Sequence, residues 1–292
     1  MADITPDKYF YYHADANAIG GLINRPFSAF VPSHTSISLP LVGGFLEKQR
    51  KGRKWKDTVS YTSESTHVSG SKKDEVGPWT TQVSATIEGL NILDVVTADR
   101  VVAQLSVAHP HGGGHPTISI VGSQFINLRI SGQPIEPILN YDLFTDHDGT
   151  SEEDPKKRYP KKSWPEQEKF LEKVRAQKVG AKDTYTKKYN NAPIPDWIRS
   201  HFHWLDSEQG LNGRDYIVCS LIDQLPELPP HFPGVICGNG IYVPGFGRVL
   251  FAELIVDHGT FRLSMIRAQL GSPVGGAVSV ATASSNGKPG IP

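Results

Sequence analysis

Two cysteines, two methionines, no surplus of charge of either sign and no long apolar run are what this 292-residue chain does without. Lysine plus arginine and aspartate plus glutamate number 30 each, so no global basic field exists to hold a polyanion, and nucleic acid is not an expected partner. Nowhere do 18 apolar residues follow one another, which leaves no candidate membrane span. Met1 to Tyr12 lacks a basic segment followed by an apolar one, so the chain as written reads as soluble and cytoplasmic, and a mature secreted form starting from an added Met would read the same way. The cysteines, Cys219 and Cys237, lie 18 positions apart, too few for a disulfide framework in a chain of this length. One bridge and two buried thiols both remain open. The common catalytic signatures are missing too: there is no G-x-S-x-G elbow, no H-E-x-x-H and no P-loop, and Gly238-Asn-Gly240 lacks the third glycine of a dinucleotide fingerprint.

Alternation of apolar and polar residues is what the sequence has instead. From Thr80 to Gly132 it recurs with hardly a break. Thr81, Val83, Ala85 and Ile87 alternate with Gln82, Ser84, Thr86 and Glu88, then Val101, Ala103, Leu105 and Val107 with Val102, Gln104 and Ser106, and Ile126, Leu128 and Ile130 with Asn127 and Arg129. The links between these runs, Glu88 to Asn91 and Thr97 to Asp99, are too short for parallel crossovers, so the strands pair antiparallel. Similar patterns come before and after this block. The segment from Tyr9 to Phe45 reads as strands at a sheet edge, where Pro32 and Pro40 need not donate to a ladder. Val249 to Val256 is apolar on both faces and reads as a central strand covered on both sides. Phe261, Leu263 and Met265 give the next strand. In the last one Val278, Val280 and Thr282 share a face against Ala277, Ser279 and Ala281. The tail from Ser284 to Pro292 reads as a frayed end.

Between Asp142 and Arg199 the character changes: 13 basic and 11 acidic residues fall in this stretch, which reads as a charged insertion. Ser163-Trp-Pro-Glu166 has the form of a capping box at a helix start, Phe170, Leu171 and Val174 make a narrow apolar stripe, and Gly180 is the expected stop. The acidic run Asp146 to Asp154 has glycine at its fourth position where a calcium loop wants it at the sixth, so it reads as an exposed turn. The expected architecture is mainly β, an antiparallel sandwich of two sheets. Residues 1–140 and 214–285 form one β domain, 141–213 are a partly helical insertion, and 286–292 are a flexible tail.

Three groups of residues can carry chemistry. His109-Pro-His111-Gly-Gly-Gly-His115 has metal-ligand spacing: residues two apart on a strand point the same way, and three glycines can turn the chain back with a third imidazole. A divalent zinc, iron or manganese ion is the cofactor such a cluster would hold. The cupin pattern fails, because no glutamate follows at the required spacing and no second motif lies downstream. Trp197, His201, His203 and Trp204 can stack on a flat ligand or pack the insertion onto its sheet. Lys48, Arg50, Lys51, Arg53, Lys54 and Lys56 make a basic run around Trp55, suited to a polyanion or to a solvated hairpin tip.

Gly89 to Asp99 (GLNILDVVTAD) followed by Gln124 to Gly132 (QFINLRISG), and later Val243 to Val249 (VPGFGRV) with Glu253, resemble the bacterial choice-of-anchor P family of extracellular β proteins. The likeness spans roughly residues 80–135 and 240–285. It implies a β-rich, surface-exposed domain with no catalytic residue to carry over. The function expected is therefore a non-enzymatic structural or binding protein, self-associating through β edges into a homo-oligomer. A metal-dependent hydrolase or oxidase built on His109, His111 and His115 is the alternative.

Overall fold

A computed structural model of the chain describes residues 9–75, 77–111, 114–145, 164–199 and 216–289. The protein is mainly β, and its described strands pair antiparallel throughout. Ten elements carry the argument: β1 (Ala14–Arg25), β2 (Gly44–Lys51), β3 (Ser63–Lys72), β4 (Trp79–Ile92), β5 (Val96–His109), α1 (Glu168–Lys188), β6 (Tyr216–Ser220), β7 (Gly247–Asp257), β8 (Phe261–Leu270) and β9 (Gly275–Ser285).

In the first sheet β2, β3, β4 and β5 follow in order, with the short strands Thr117–Ser119, Gln124–Ile126 and Arg129–Ile130 on the far side of β5. In the second, Val235–Cys237, Gly240–Val243, β7, β8, β9 and β1 follow in order, with β6 also on β7 and short strands from residues 29–38 closing the β1 edge. The sheets pack face to face because one alternate set of each strand is apolar. Val83, Ala85, Ile87, Val101, Ala103 and Leu105 from the first meet Ile19, Leu263, Val278 and Val280 from the second, all fully or almost fully buried. The segment read as a sheet edge is thus divided: residues 29–38 are the edge, whereas β1 lies one strand inside and pairs with β9 along nearly its whole length.

The expected strand at 126–130 is broken in two, since Asn127 takes a left-handed φ of 50°. The tail is also more ordered than its composition suggests: Lys288 and Pro289 pair with Tyr11 and Phe10, tying the two ends of the described chain together. Cys219 and Cys237 are free, buried thiols on different strands of the second sheet, and burial pushes Cys237 up to about 12.

The insertion packs on the second sheet. The helix starts at Glu168 behind a 3-10 turn at Trp164–Glu166, and it runs through Gly180 to Lys188. Glycine costs about 1 kcal/mol in a helix interior, and here tertiary contacts on both sides of it offset that cost. On one side, Gln177 donates its side-chain amide to the Ser220 carbonyl (2.7 Å) and accepts from the Ser220 N–H (3.3 Å), so a side chain pairs with the β6 backbone as a strand would. On the other, Tyr185 is buried in a small cluster with Ile198, Cys237 and Leu250. The expected capping residue Ser163 and the acidic turn at 146–154 lie outside the described residues.

Candidate functional site

The histidine spacing carries three rings to three different partners. β5 ends at His109, whose ring packs 4.9 Å from that of Phe10. Pro110 ends the strand, and His111 turns onto Trp79, again at 4.9 Å. His115 reaches the helix start, where the Gln167 side-chain amide nitrogen lies 2.9 Å from its Nε2. Among the described residues no group of three or more His, Cys, Asp or Glu side chains is gathered closely enough to hold a metal ion. Two-residue spacing converges only on a continuing strand, and the proline ends this one.

Burial moves His109 down to about 4. Folded protein therefore binds this proton only well below the ordinary histidine value near 6.5, and stability falls as pH drops from about 6.5 towards 4, by about 2–3 kcal/mol. Replacing His109 with phenylalanine is expected to keep the packing on Phe10 and remove that part of the acid sensitivity, read as the urea midpoint at pH 7 against pH 4.5.

Trp197 sits over Gly240, where a built Cβ would come within 2.8 Å of its ring, and lies 6.4 Å from the Tyr242 ring. It joins the insertion to its sheet. His201, His203 and Trp204 lie outside the described residues. The basic run divides: Lys54 pairs with Asp57 at 2.6 Å, Arg53 contacts His34 at 3.0 Å and Lys56 lies 4.0 Å over the Phe27 ring, while Lys48, Arg50 and Lys51 project from β2.

A site that the sequence motifs did not indicate lies on the outer face of the second sheet. It is an open groove of about 470 Å³ whose lining includes Asp15, Asn17, Arg262, Ser279, Thr282 and Ser284. Two cross-strand rows build it. Glu253, Ser264, Thr282 and Asn17 stand in register across β7, β8, β9 and β1, and Arg262, Ser284, Asp15 and Ser38 form the next row.

Strict alternation would place Thr282 with Val278 and Val280 on the core side. Instead Ala281 takes a left-handed φ of 50°, and regular pairing lapses there on both sides of β9. The lapse turns Thr282 outward to share the groove with Ser279, three residues away, where period two would separate them. Ala252 on β7 does the same at φ 46° and precedes Glu253.

The polar groups are held in place. Ser38 donates to Asp15 (2.5 Å), Ser33 donates to Asn17 (2.6 Å), and the Ser264 and Thr282 hydroxyls lie 3.1 Å apart. Gly20 and Gly21 leave the floor without side chains. At the β7 end of the Thr282 row, Arg267 donates to the buried Glu253 at 2.9 Å. Burial raises the Glu253 carboxyl above the usual range, and the Arg267 guanidinium works against that rise.

Fold and groove together define an antiparallel two-sheet sandwich with a polar surface cleft among its described residues. A family model described as a domain of unknown function, DUF8256, matches residues 10–257, and the chain belongs to that family. No curated protein and no solved structure matches it. The match ends with β7, yet β8 and β9 stand between β7 and β1 in the sheet, so the matched stretch does not close the second sheet without residues 261–285.

Proposed function

We propose that the protein is a non-enzymatic binding protein and that its ligand sits in the groove on the outer face of the second sheet. The observation that carries this reading is a cleft of about 470 Å³ on hydrogen-bonded strands, lined by one carboxylate, one guanidinium, one carboxamide and several hydroxyls. Such a lining suits a small, hydroxyl-rich neutral ligand of the saccharide class: Asp15 accepts, Arg262 donates, and Asn17 does both. Ser33 and Ser38 already orient Asn17 and Asp15, so little side-chain entropy remains to be lost on binding.

The test is titration calorimetry with a panel of mono- and disaccharides. At least one is expected to bind, with Asn17→Ala and Arg262→Ala each weakening it about tenfold, the order of one lost polar contact of about 1–2 kcal/mol. A panel with no binder, or a binder whose affinity neither substitution changes, would overturn the assignment.

A further inference from the structure

The geometry points to β2 as a docking edge for an extended acidic polypeptide segment, which would add to the first sheet as one more antiparallel strand. Among the described residues β2 pairs with β3 on one side and with nothing on the other, and all eight of its residues are exposed. A strand of eight residues offers about 26 Å of edge. Unpaired N–H and C=O groups along such an edge are a template for another chain, and proteins commonly blunt it with charge. Here the charge is of one predominant sign: Lys48, Arg50 and Lys51 against Glu47.

The register fixes where those charges stand. Leu46, Lys48 and Arg50 lie opposite Val68, Thr66 and Glu64, three of the buried residues of β3, so these three share the core-side face. Lys48 and Arg50, two residues apart, are about 7 Å from one another along that face. An incoming strand with carboxylates at alternate positions would meet both cations at once, while its backbone pairs with the free edge.

A second copy of the chain fits this edge less well. Two β2 strands related by a two-fold axis in one continuous antiparallel sheet must set some residue opposite its own copy. The registers with nearly full overlap centre on Lys48 against Lys48 or Glu47 against Glu47, and like charges directly opposite one another are destabilising. An acidic strand meets no such conflict.

Fluorescence anisotropy with the full chain and two labelled dodecapeptides, (Glu-Thr)6 and (Glu-Pro)6, decides the matter. The two carry equal charge, but the proline peptide lacks half of the backbone donors that pairing needs. The expected result is that (Glu-Thr)6 binds at least tenfold more tightly, that β2 amides gain protection from hydrogen exchange on binding, and that the double substitution Lys48→Gln with Arg50→Gln, which sets no carboxylate opposite Glu64, weakens it tenfold or more. Both side chains are exposed, so the variant should keep its unfolding midpoint; should it not fold, the two peptides still give the answer on the unaltered chain. Equal binding of the peptides would reduce the edge to an electrostatic patch. Heparin bound with no binding of (Glu-Thr)6 would reassign it to polyanions, and concentration-dependent protection of β2 without peptide would reassign it to self-pairing.

Discussion

Replacing Phe170 with alanine is expected to lower the stability of the whole protein by about 3–5 kcal/mol, the range for truncating a fully buried phenylalanine. Phe170 is fully buried on α1 and stacks on Phe144 with centroids 5.6 Å apart and planes 10° from parallel. Phe144 then meets Phe261 on β8 edge to face at 6.0 Å, and Trp164 closes the group from the 3-10 turn, 5.1 Å from Phe144 and 5.9 Å from Phe170. Four rings thus join the insertion to the central strands of the second sheet. No neighbour can refill the space of an aromatic ring held between two others, so the cavity term adds to the lost transfer energy.

Chemical denaturation followed by tryptophan fluorescence and by far-ultraviolet circular dichroism gives the measurement. If the insertion is part of the cooperative unit, both signals move together to a lower midpoint. A helix-only transition at unchanged sheet stability would instead show that the four-ring contact does not couple the two.

The period-two patterns placed β4, β5, β7, β8 and β9 correctly, because burial of one sheet face is a strong and local constraint on residue choice. The groove escaped the same reasoning for a definite reason. It depends on Ala281 in left-handed backbone, a conformation alanine seldom adopts and its identity does not announce. One conformational exception at Ala281 moved Thr282 from the expected core set into the site. The alternation of Asp15 and Asn17 among Ala14, Ala16 and Ala18 was visible, but only the register with β9 showed that these two side chains stand beside Ser284 and Thr282.

The histidine cluster is the converse case. Its spacing was legible, yet Pro110 ended the strand on which convergence depended, and the partners of the three rings come from residues 10, 79 and 167, far away in sequence. Helix length followed the same logic. Gly180 signalled a stop by propensity, and Gln177 and Tyr185 override it through contacts no local pattern encodes.

At the buried ion pair behind the groove, the two partners are expected to differ sharply in what their loss costs. The Glu253 side chain is 4% exposed and that of Arg267 is 31% exposed. Glu253→Gln keeps the shape and an acceptor for the guanidinium, which reaches water by itself, so its cost should be about 1 kcal/mol. Arg267→Ala removes the main counter-charge of a carboxylate with almost no solvent; breaking a buried pair costs about 3–5 kcal/mol, and the lower end, about 3, is expected here because the arginine was itself partly solvated and Arg262 still acts on the carboxyl.

The pH dependence follows from the same asymmetry. Burial already raises the Glu253 carboxyl, and removing Arg267 takes away the larger of two opposing influences, that of Arg262 remaining, so the variant's folded value rises further. The unfolded chain releases this proton from about pH 4.3 in both proteins, so that step cancels, and the deficit of Arg267→Ala grows as pH rises through the raised folded value of the unaltered protein towards the higher one of the variant. Urea midpoints of both proteins at pH 4, 5.5 and 7 should therefore lie closest together at pH 4 and farthest apart at pH 7. The shared titration of His109 cancels in that difference. A gap of constant size across the series would mean that Arg267 acts through packing of its methylene stem, and that the charge of Glu253 is satisfied by other groups.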